Sequence, residues 1–94
     1  MKVNFKQPFK DMNGIPLPTT MADEIGKSLF YLESVGKQPL TADEKYLAYK
    51  LCNRIAGADG DVELSTDEAA FILRVCADTL KAGAYGQIRN LIDK

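Results

Sequence analysis

Five acidic side chains fall within ten positions of the stretch AGADGDVELSTDEAA, residues 56–70. Such a cluster could form a calcium-binding EF-hand loop, which needs oxygen ligands at loop positions 1, 3, 5, 9 and 12 and glycine at position 6. A loop that starts at Asp59 has acids at positions 1, 3 and 5, but it has Leu64 at position 6 and Ala70 at position 12. The EF-hand pattern therefore fails at the sharp turn, which needs glycine, and at the last position, which needs a bidentate glutamate. The stretch predicts a junction between two helices and not a metal site.

The residue types that serve most catalytic sites are scarce. The chain contains no histidine, the usual general base and the commonest zinc ligand. Its two cysteines, Cys52 and Cys76, lie in helical apolar patterns, which favours inert core thiols over a disulfide or a reactive pair. The segment GAYGQI has two glycines but lacks the lysine of a phosphate-binding loop. We therefore predict no enzymatic activity, no cofactor and no metal.

Charge and hydropathy place the chain among globular domains. Its 94 residues carry a formal charge of −1, which gives no bulk attraction to nucleic acid or to an anionic membrane. No apolar run approaches the roughly 18 residues that a membrane span requires, and the N-terminus lacks the apolar region of a secretory signal. We expect a single domain over residues 1–94, located in the cytoplasm, with no membrane partner.

The first eighteen residues have strand character. Val3 and Phe5 alternate with polar residues, which is the periodicity of a strand with one buried face. Asn13–Gly14 favours a type I′ hairpin turn, because both of its central positions need positive φ. Pro16 and Pro18 restrict the returning segment to a short edge strand. We predict a short β-hairpin or extended arm over residues 1–18.

Three helix starts share one pattern: a hydroxyl residue followed three positions later by a carboxylate. These segments are TMAD, TADE and STDE, and they match the capping box, with an Asp variant in the first. We predict helices over residues 20–35, 42–56 and 66–81, and a short last helix within QIRNLIDK after an interruption at AGAYG. The first should end at VGKQP, with Gly36 at its C′ position. The fold class is mainly α: a three- to four-helix domain whose helical core spans residues 19–94.

The segment DVEL, between the second and third helices, alternates apolar and acidic residues. Val62 and Leu64 occupy one face, and the acids occupy the other. We expect this segment to form a short bridge that pairs with the N-terminal ribbon.

Several aromatic side chains lie off the predicted apolar stripes. Aromatic residues left over after a core is assigned are candidates for contact with another protein. Plain packing at the edge of the core is the alternative. The candidates are Phe30, Tyr31, Tyr46, Tyr49 and Tyr85.

The N-terminal segment offers a second hypothesis, a nucleic-acid-binding regulator. Lys2, Lys6 and Lys10 alternate there with Phe5 and Phe9. This hypothesis requires the three lysines to share one surface with Lys45, Lys50 and Arg54. The alternative is an edge strand that its lysines protect from aggregation, and we regard a nucleic-acid partner as unlikely.

The order of these segments resembles a group of small proteins encoded in tailed-phage and prophage genomes. The resemblance extends from MKVNFKQPFKDMNGIPLP through TMADEIGKSLF, TADEKYLAYKLCNRI and VELSTDEAAFILRV to GAYGQIRNLID. It implies a phage origin, a bacterial cytoplasmic or virion-associated location, and a role in virion assembly or in handling host proteins. It assigns no functional residues. We therefore expect a non-catalytic interaction module whose protein partner is a virion protein, a host protein or a second copy in a homodimer. The contact could use β-augmentation or a helix face.

Overall fold

The computed structural model describes residues 1–93 and confirms the fold class. Within residues 1–93, four helices and three two-stranded antiparallel sheets share one hydrophobic cluster. The elements in chain order are β1 (Lys2–Asn4), β2 (Pro8–Lys10), β3 (Pro16–Thr20), α1 (Met21–Phe30), β4 (Ser34–Val35), β5 (Gln38–Pro39), α2 (Ala42–Gly57), β6 (Asp61–Glu63), α3 (Thr66–Thr79) and α4 (Ala82–Ile92). Within this part of the chain, no helix combines the length and the apolar character needed to cross a membrane.

The N-terminal strand pairs with the α2–α3 connection. β1 runs antiparallel to β6, with Val3 opposite Val62. The ladder extends by one residue, because the nitrogen of Met1 donates to the Leu64 carbonyl and the Leu64 N–H donates to the Met1 carbonyl, both at 2.8 Å. The predicted bridge between DVEL and the N-terminal ribbon is therefore confirmed.

The next part of the N-terminal segment supports the start of α1. The Phe5 carbonyl accepts from the Ala22 N–H, and the Gln7 carbonyl accepts from the Met21 N–H, each at 2.8 Å. The Thr20 hydroxyl accepts from the Asp23 N–H at 3.2 Å. The first N–H groups of a helix have no partner within the helix. Here they are satisfied jointly by a side-chain cap and by the backbone of the preceding segment.

β2 and β3 form the predicted hairpin, but the turn type was wrong. Gly14 has φ +82° and no other residue of this turn has positive φ, which excludes type I′. The Gly14 N–H donates to the Asp11 carbonyl, and the Asp11 N–H donates to the Ile15 carbonyl, both at 2.9 Å. The Asp11 carboxylate also accepts from the N–H groups of Asn13 and Ile15. Because Asp11 satisfies the turn from its first position, the three-residue form with a single left-handed glycine is stable.

The first helix is shorter than predicted. It ends at Phe30 and not at 35, because the following residues form a second small hairpin, β4–β5. Gly36 has φ +64° and occupies the first of the two positions between Val35 and Gln38. That is the type II′ arrangement, which needs glycine there. Both a helix C′ position and this turn require positive φ, so the sequence signal at Gly36 fits either structure.

The last helix starts earlier than predicted. α4 begins at Ala82 and includes the AGAYG segment that was expected to interrupt it. Glycine within a helix costs about 1 kcal/mol relative to alanine, but Ile88 and Ile92 are buried in the shared core. The Gln87 amide also exchanges two hydrogen bonds with the backbone of Lys10, at 2.8 and 2.9 Å. Burial and this bridge to β2 outweigh the weak helix propensity.

The third helix, α3, ends at Thr79 and not at residue 81 as predicted.

The core combines the predicted helix stripes with the N-terminal segment. Ile25, Leu51, Ile72 and Ile88 represent the four helices, and each is fully buried. The N-terminal segment and the bridge contribute further core side chains: Val3, Phe5, Phe9, Val62 and Leu64.

Cys52 and Cys76 are free and buried, as predicted. Burial raises the pKa of both thiols, that of Cys76 to about 12. Because the thiolate is the reactive form, both groups are poor nucleophiles near neutral pH.

We predict that Phe5→Ala destabilises the protein by about 3–5 kcal/mol, because it removes a ring that is 1% exposed and leaves a cavity. Chemical denaturation monitored by circular dichroism measures this loss. The matched control is Phe30→Ala, which removes a ring that is 56% exposed and should change stability by less than about 0.5 kcal/mol at concentrations where the chain is monomeric. Equal effects of the two changes would contradict the placement of the N-terminal segment in the core.

Candidate functional site

The acidic stretch at residues 56–70 forms helix caps and ion pairs. Ser65 and Glu68 make a complete capping box, in which each side chain accepts from the other residue's N–H at 3.1 and 2.8 Å. Arg54 Nη1 lies 2.9 Å from both carboxylate oxygens of Glu68 and also donates to the Glu63 carbonyl. Among residues 1–93, no three ligand-type side chains are grouped closely enough to hold a metal ion.

A similar arrangement starts α2. Thr41 and Glu44 form the second complete capping box, and Arg74 Nη2 lies 2.7 Å from Glu44 Oε2. The Thr41 N–H and the Arg74 guanidinium lower the pKa of Glu44. Arg54, followed by the Ser65 N–H, lowers the pKa of Glu68 in the same way. Each capping carboxylate thus also links α2 with α3 through an ion pair. Glu44 and Glu68 therefore have structural roles.

Four of the five predicted contact residues are exposed, two at the end of α1 and two on α2. Phe30 and Tyr31 are 56% and 75% exposed, and Tyr46 and Tyr49 are 61% and 50% exposed. We call these four residues the aromatic face. The rings of Phe30 and Tyr31 meet edge-on, with centroids 5.0 Å apart, and those of Tyr46 and Tyr49 stack at 6.5 Å.

The packing of α1 on α2 places both aromatic pairs toward one end. The Cys52 thiol donates to the Gly26 carbonyl at 3.4 Å. The Phe5 carbonyl accepts from the Ala22 N–H at the start of α1, and the amine of the adjacent Lys6 donates to the Ala56 carbonyl at 3.4 Å. The start of α1 therefore lies near the end of α2, so the helices are antiparallel. Phe30, one turn after Gly26, and Tyr49, one turn before Cys52, lie at the same end.

A groove runs along the surface between these two helices. Its volume is about 370 Å³, and Phe30 and Tyr31 line the end of the groove where α1 ends. We call it the α1–α2 groove. Its lining consists of Lys6, Ala22, Asp23, Gly26, Lys27, Phe30, Tyr31, Cys52 and Ala56.

Sequence reasoning did not identify this groove. The signal present in the sequence is the spacing of Ala22, Gly26 and Phe30 at intervals of four residues, which puts them on one helix face. The groove itself depends on the register between α1 and α2, which the spacing does not reveal.

Tyr85 differs from the other four candidates. It is half-buried and packs against the hydrophobic cluster, and its hydroxyl accepts from Arg89 Nη1 at 3.4 Å. It lies on α4, so it is not part of the aromatic face.

A second cleft, of about 570 Å³, lies between the β2–β3 hairpin and the α3–α4 junction. Phe9, Leu17, Leu80 and Ala84 supply its apolar surface. Met12 at its rim is 97% exposed. None of the five predicted protein-contact residues lines this cleft, whereas Lys10 of the nucleic-acid hypothesis does.

Three of the six basic residues named in the nucleic-acid hypothesis contact other parts of the chain. The guanidinium of Arg54 is bound to Glu68. Lys6 reaches the α2 backbone at Ala56, and the amine of Lys50 lies 4.8 Å from the centroid of the Tyr46 ring. A phosphate would have to compete with Glu68 for Arg54.

No known protein family, curated protein or solved structure matches this chain.

We predict that acid weakens the protein partly through Glu68. Its pKa is lowered in the folded state, so its stabilising effect is present above the unfolded value of 4.5 and is lost as the pH falls through the folded value. Stability should therefore fall less for Glu68→Gln than for the unaltered protein between neutral pH and about pH 3. Denaturant unfolding at both pH values measures the difference. An equal acid response of Glu68→Gln and the unaltered protein would show that the Arg54–Glu68 pair does not stabilise the fold.

Proposed function

We propose that this protein is a non-catalytic interaction module that binds a protein partner through the aromatic face. The observation that carries the proposal is the exposure of Phe30, Tyr31, Tyr46 and Tyr49 on two adjoining helices. Aromatic side chains are enriched at the centres of protein interfaces, where they bury a large area with few rotatable bonds. Exposed apolar groups that cluster are characteristic of an interaction site, whereas single ones are common on any surface.

The edges of the β2–β3 hairpin have fewer free backbone groups than the addition of a partner strand requires. Pro16 and Pro18 lie at alternate positions of β3, so the edge that they share lacks two N–H donors. On the neighbouring strand β2, the backbone groups of Lys10 are already bonded to the Gln87 side chain. Addition of a strand needs a row of free backbone groups. These contacts favour docking on the helix face over β-augmentation.

The biological setting that we propose follows from the resemblance to small phage and prophage proteins. The partner would then be a virion protein, a host protein or a second copy of the chain, in the bacterial cytoplasm or in the virion. The role would be in virion assembly or in handling host proteins. The nucleic-acid alternative stays open to test, although the engagement of Arg54 by Glu68 argues against it.

The test is an affinity pull-down from infected or prophage-induced bacteria, with the tag at the C-terminus because Met1 pairs with Leu64. We expect a protein that survives a high-salt wash and is lost with the double variant Tyr46→Ser/Tyr49→Ser. The matched control is Ile15→Ser, which replaces an apolar residue that is 59% exposed on the hairpin. It should retain the partner.

Two results would contradict the proposal. Capture that is identical for all three proteins would show that the aromatic face is not the contact. Nucleic acid that is released as salt rises, with no retained protein, would favour the regulator hypothesis, because phosphate contacts weaken steeply with salt.

A further inference from the structure

We propose that the partner that binds the aromatic face and the adjoining α1–α2 groove is a second copy of the chain. In this dimer, α1 of one copy crosses α1 of the other in antiparallel orientation at Gly26. This inference rests on the proposed function, since it names the partner of the same surface. A two-fold dimer uses one surface patch twice, so the patch must be complementary to itself. The face of α1 that lines the α1–α2 groove meets that condition in both shape and charge.

The shape argument concerns the positions on either side of Gly26. Ala22 lies four residues before it and Phe30 lies four residues after it, all lining the α1–α2 groove. An antiparallel crossing at Gly26 therefore sets the Phe30 ring of each copy over Ala22 of the other. A large side chain meets a small one at both ends of the contact. A parallel crossing would instead bring the two Phe30 rings to the same level and leave the groove beside Ala22 unfilled.

The charge argument concerns Asp23 and Lys27, which border the same groove. Neither residue forms an ion pair within residues 1–93. Asp23 lies three residues before the crossing point and Lys27 one residue after it. In an antiparallel pair, Asp23 of one copy is thus about 3 Å along the axis from Lys27 of the other, within reach of a lysine side chain. The two-fold axis creates this attraction twice, whereas a parallel pair aligns like charges at one level.

Gly26 itself fits a close crossing. A Cβ atom added at this position would meet nothing within 4 Å, so packing inside the chain does not require glycine here. Glycine in a helix interior lowers helix stability, but it allows another backbone to approach closely. A second helix above Gly26 would use the space that the isolated chain leaves empty.

The experiment is sedimentation equilibrium of the full chain over a range of concentrations, with exchanged charges. Asp23→Lys or Lys27→Asp alone places like charges across the axis, so each should weaken the dimer roughly tenfold or more. The double variant Asp23→Lys/Lys27→Asp restores opposite charges and should recover most of the affinity. It also puts charges of the wrong sign near both ends of α1, so the melting temperature of the monomer should fall. Recovery of the dimer together with a less stable monomer is a result that general destabilisation does not produce.

A glycine pair supplies a second, independent comparison. Gly26→Ala should raise the melting temperature of the monomer by about 4–8 °C while weakening the dimer, because the new methyl group occupies the crossing point. Gly86→Ala in α4, where a Cβ atom also has open space, is the control. It should raise the melting temperature similarly and leave the dimer unchanged.

Each outcome decides the proposal. Loss with the single exchanges and recovery with the double variant supports it. A dimer that is insensitive to these changes lies elsewhere and overturns it, as does a chain that is monomeric at every concentration. The proposed function is tested separately, because it survives a monomeric result if the pull-down finds a partner that depends on Tyr46 and Tyr49.

Discussion

The fold depends on the backbone hydrogen bonds that the first seven residues make with two other parts of the chain. The carbonyls of Met1, Phe5 and Gln7 accept from the N–H groups of Leu64, Ala22 and Met21. An unpaired backbone group that is removed from water costs free energy comparable to a lost hydrogen bond. The N-terminal segment therefore pairs with the α2–α3 connection and with the start of α1. The burial of Phe5 in the shared core adds an apolar contribution.

This constraint also determines which surfaces remain available. With the start of α1 held by the N-terminal segment, and Cys52 bonded to Gly26, α1 lies antiparallel along α2. Its apolar stripe of Ile25 and Leu29 faces the core. Phe30 and Tyr31 are left exposed at the same end of the helix pair as the tyrosines of α2. The exposed aromatic face is thus a consequence of how the N-terminal segment positions the two helices.

The sequence predicted best those features that depend on neighbouring residues. The helix starts after Thr41 and Ser65 were predicted correctly, because a capping box is complete within four residues. Of the five aromatics placed off the apolar stripes, four are exposed, as residues off such a stripe usually are, and Tyr85 is half-buried. The end of the first helix was missed because Gly36 suits two different turns. The start of α4 was missed because Gln87 and Ile88 stabilise it through contacts with distant residues. The α1–α2 groove was not predictable, since it requires the register of two helices.

The central claim is that the N-terminal segment belongs to the core and does not detach as an arm. Amide hydrogen exchange resolved by residue tests it most directly, through the N–H groups of Leu64, Met21 and Ala22, which are bonded to that segment. We predict that these amides exchange as slowly as those of Ile72 and Ile88 in the core helices, because all of them should open only on global unfolding. Rapid exchange at the three bonded sites, with Ile72 and Ile88 still protected, would show a detachable arm and contradict the account.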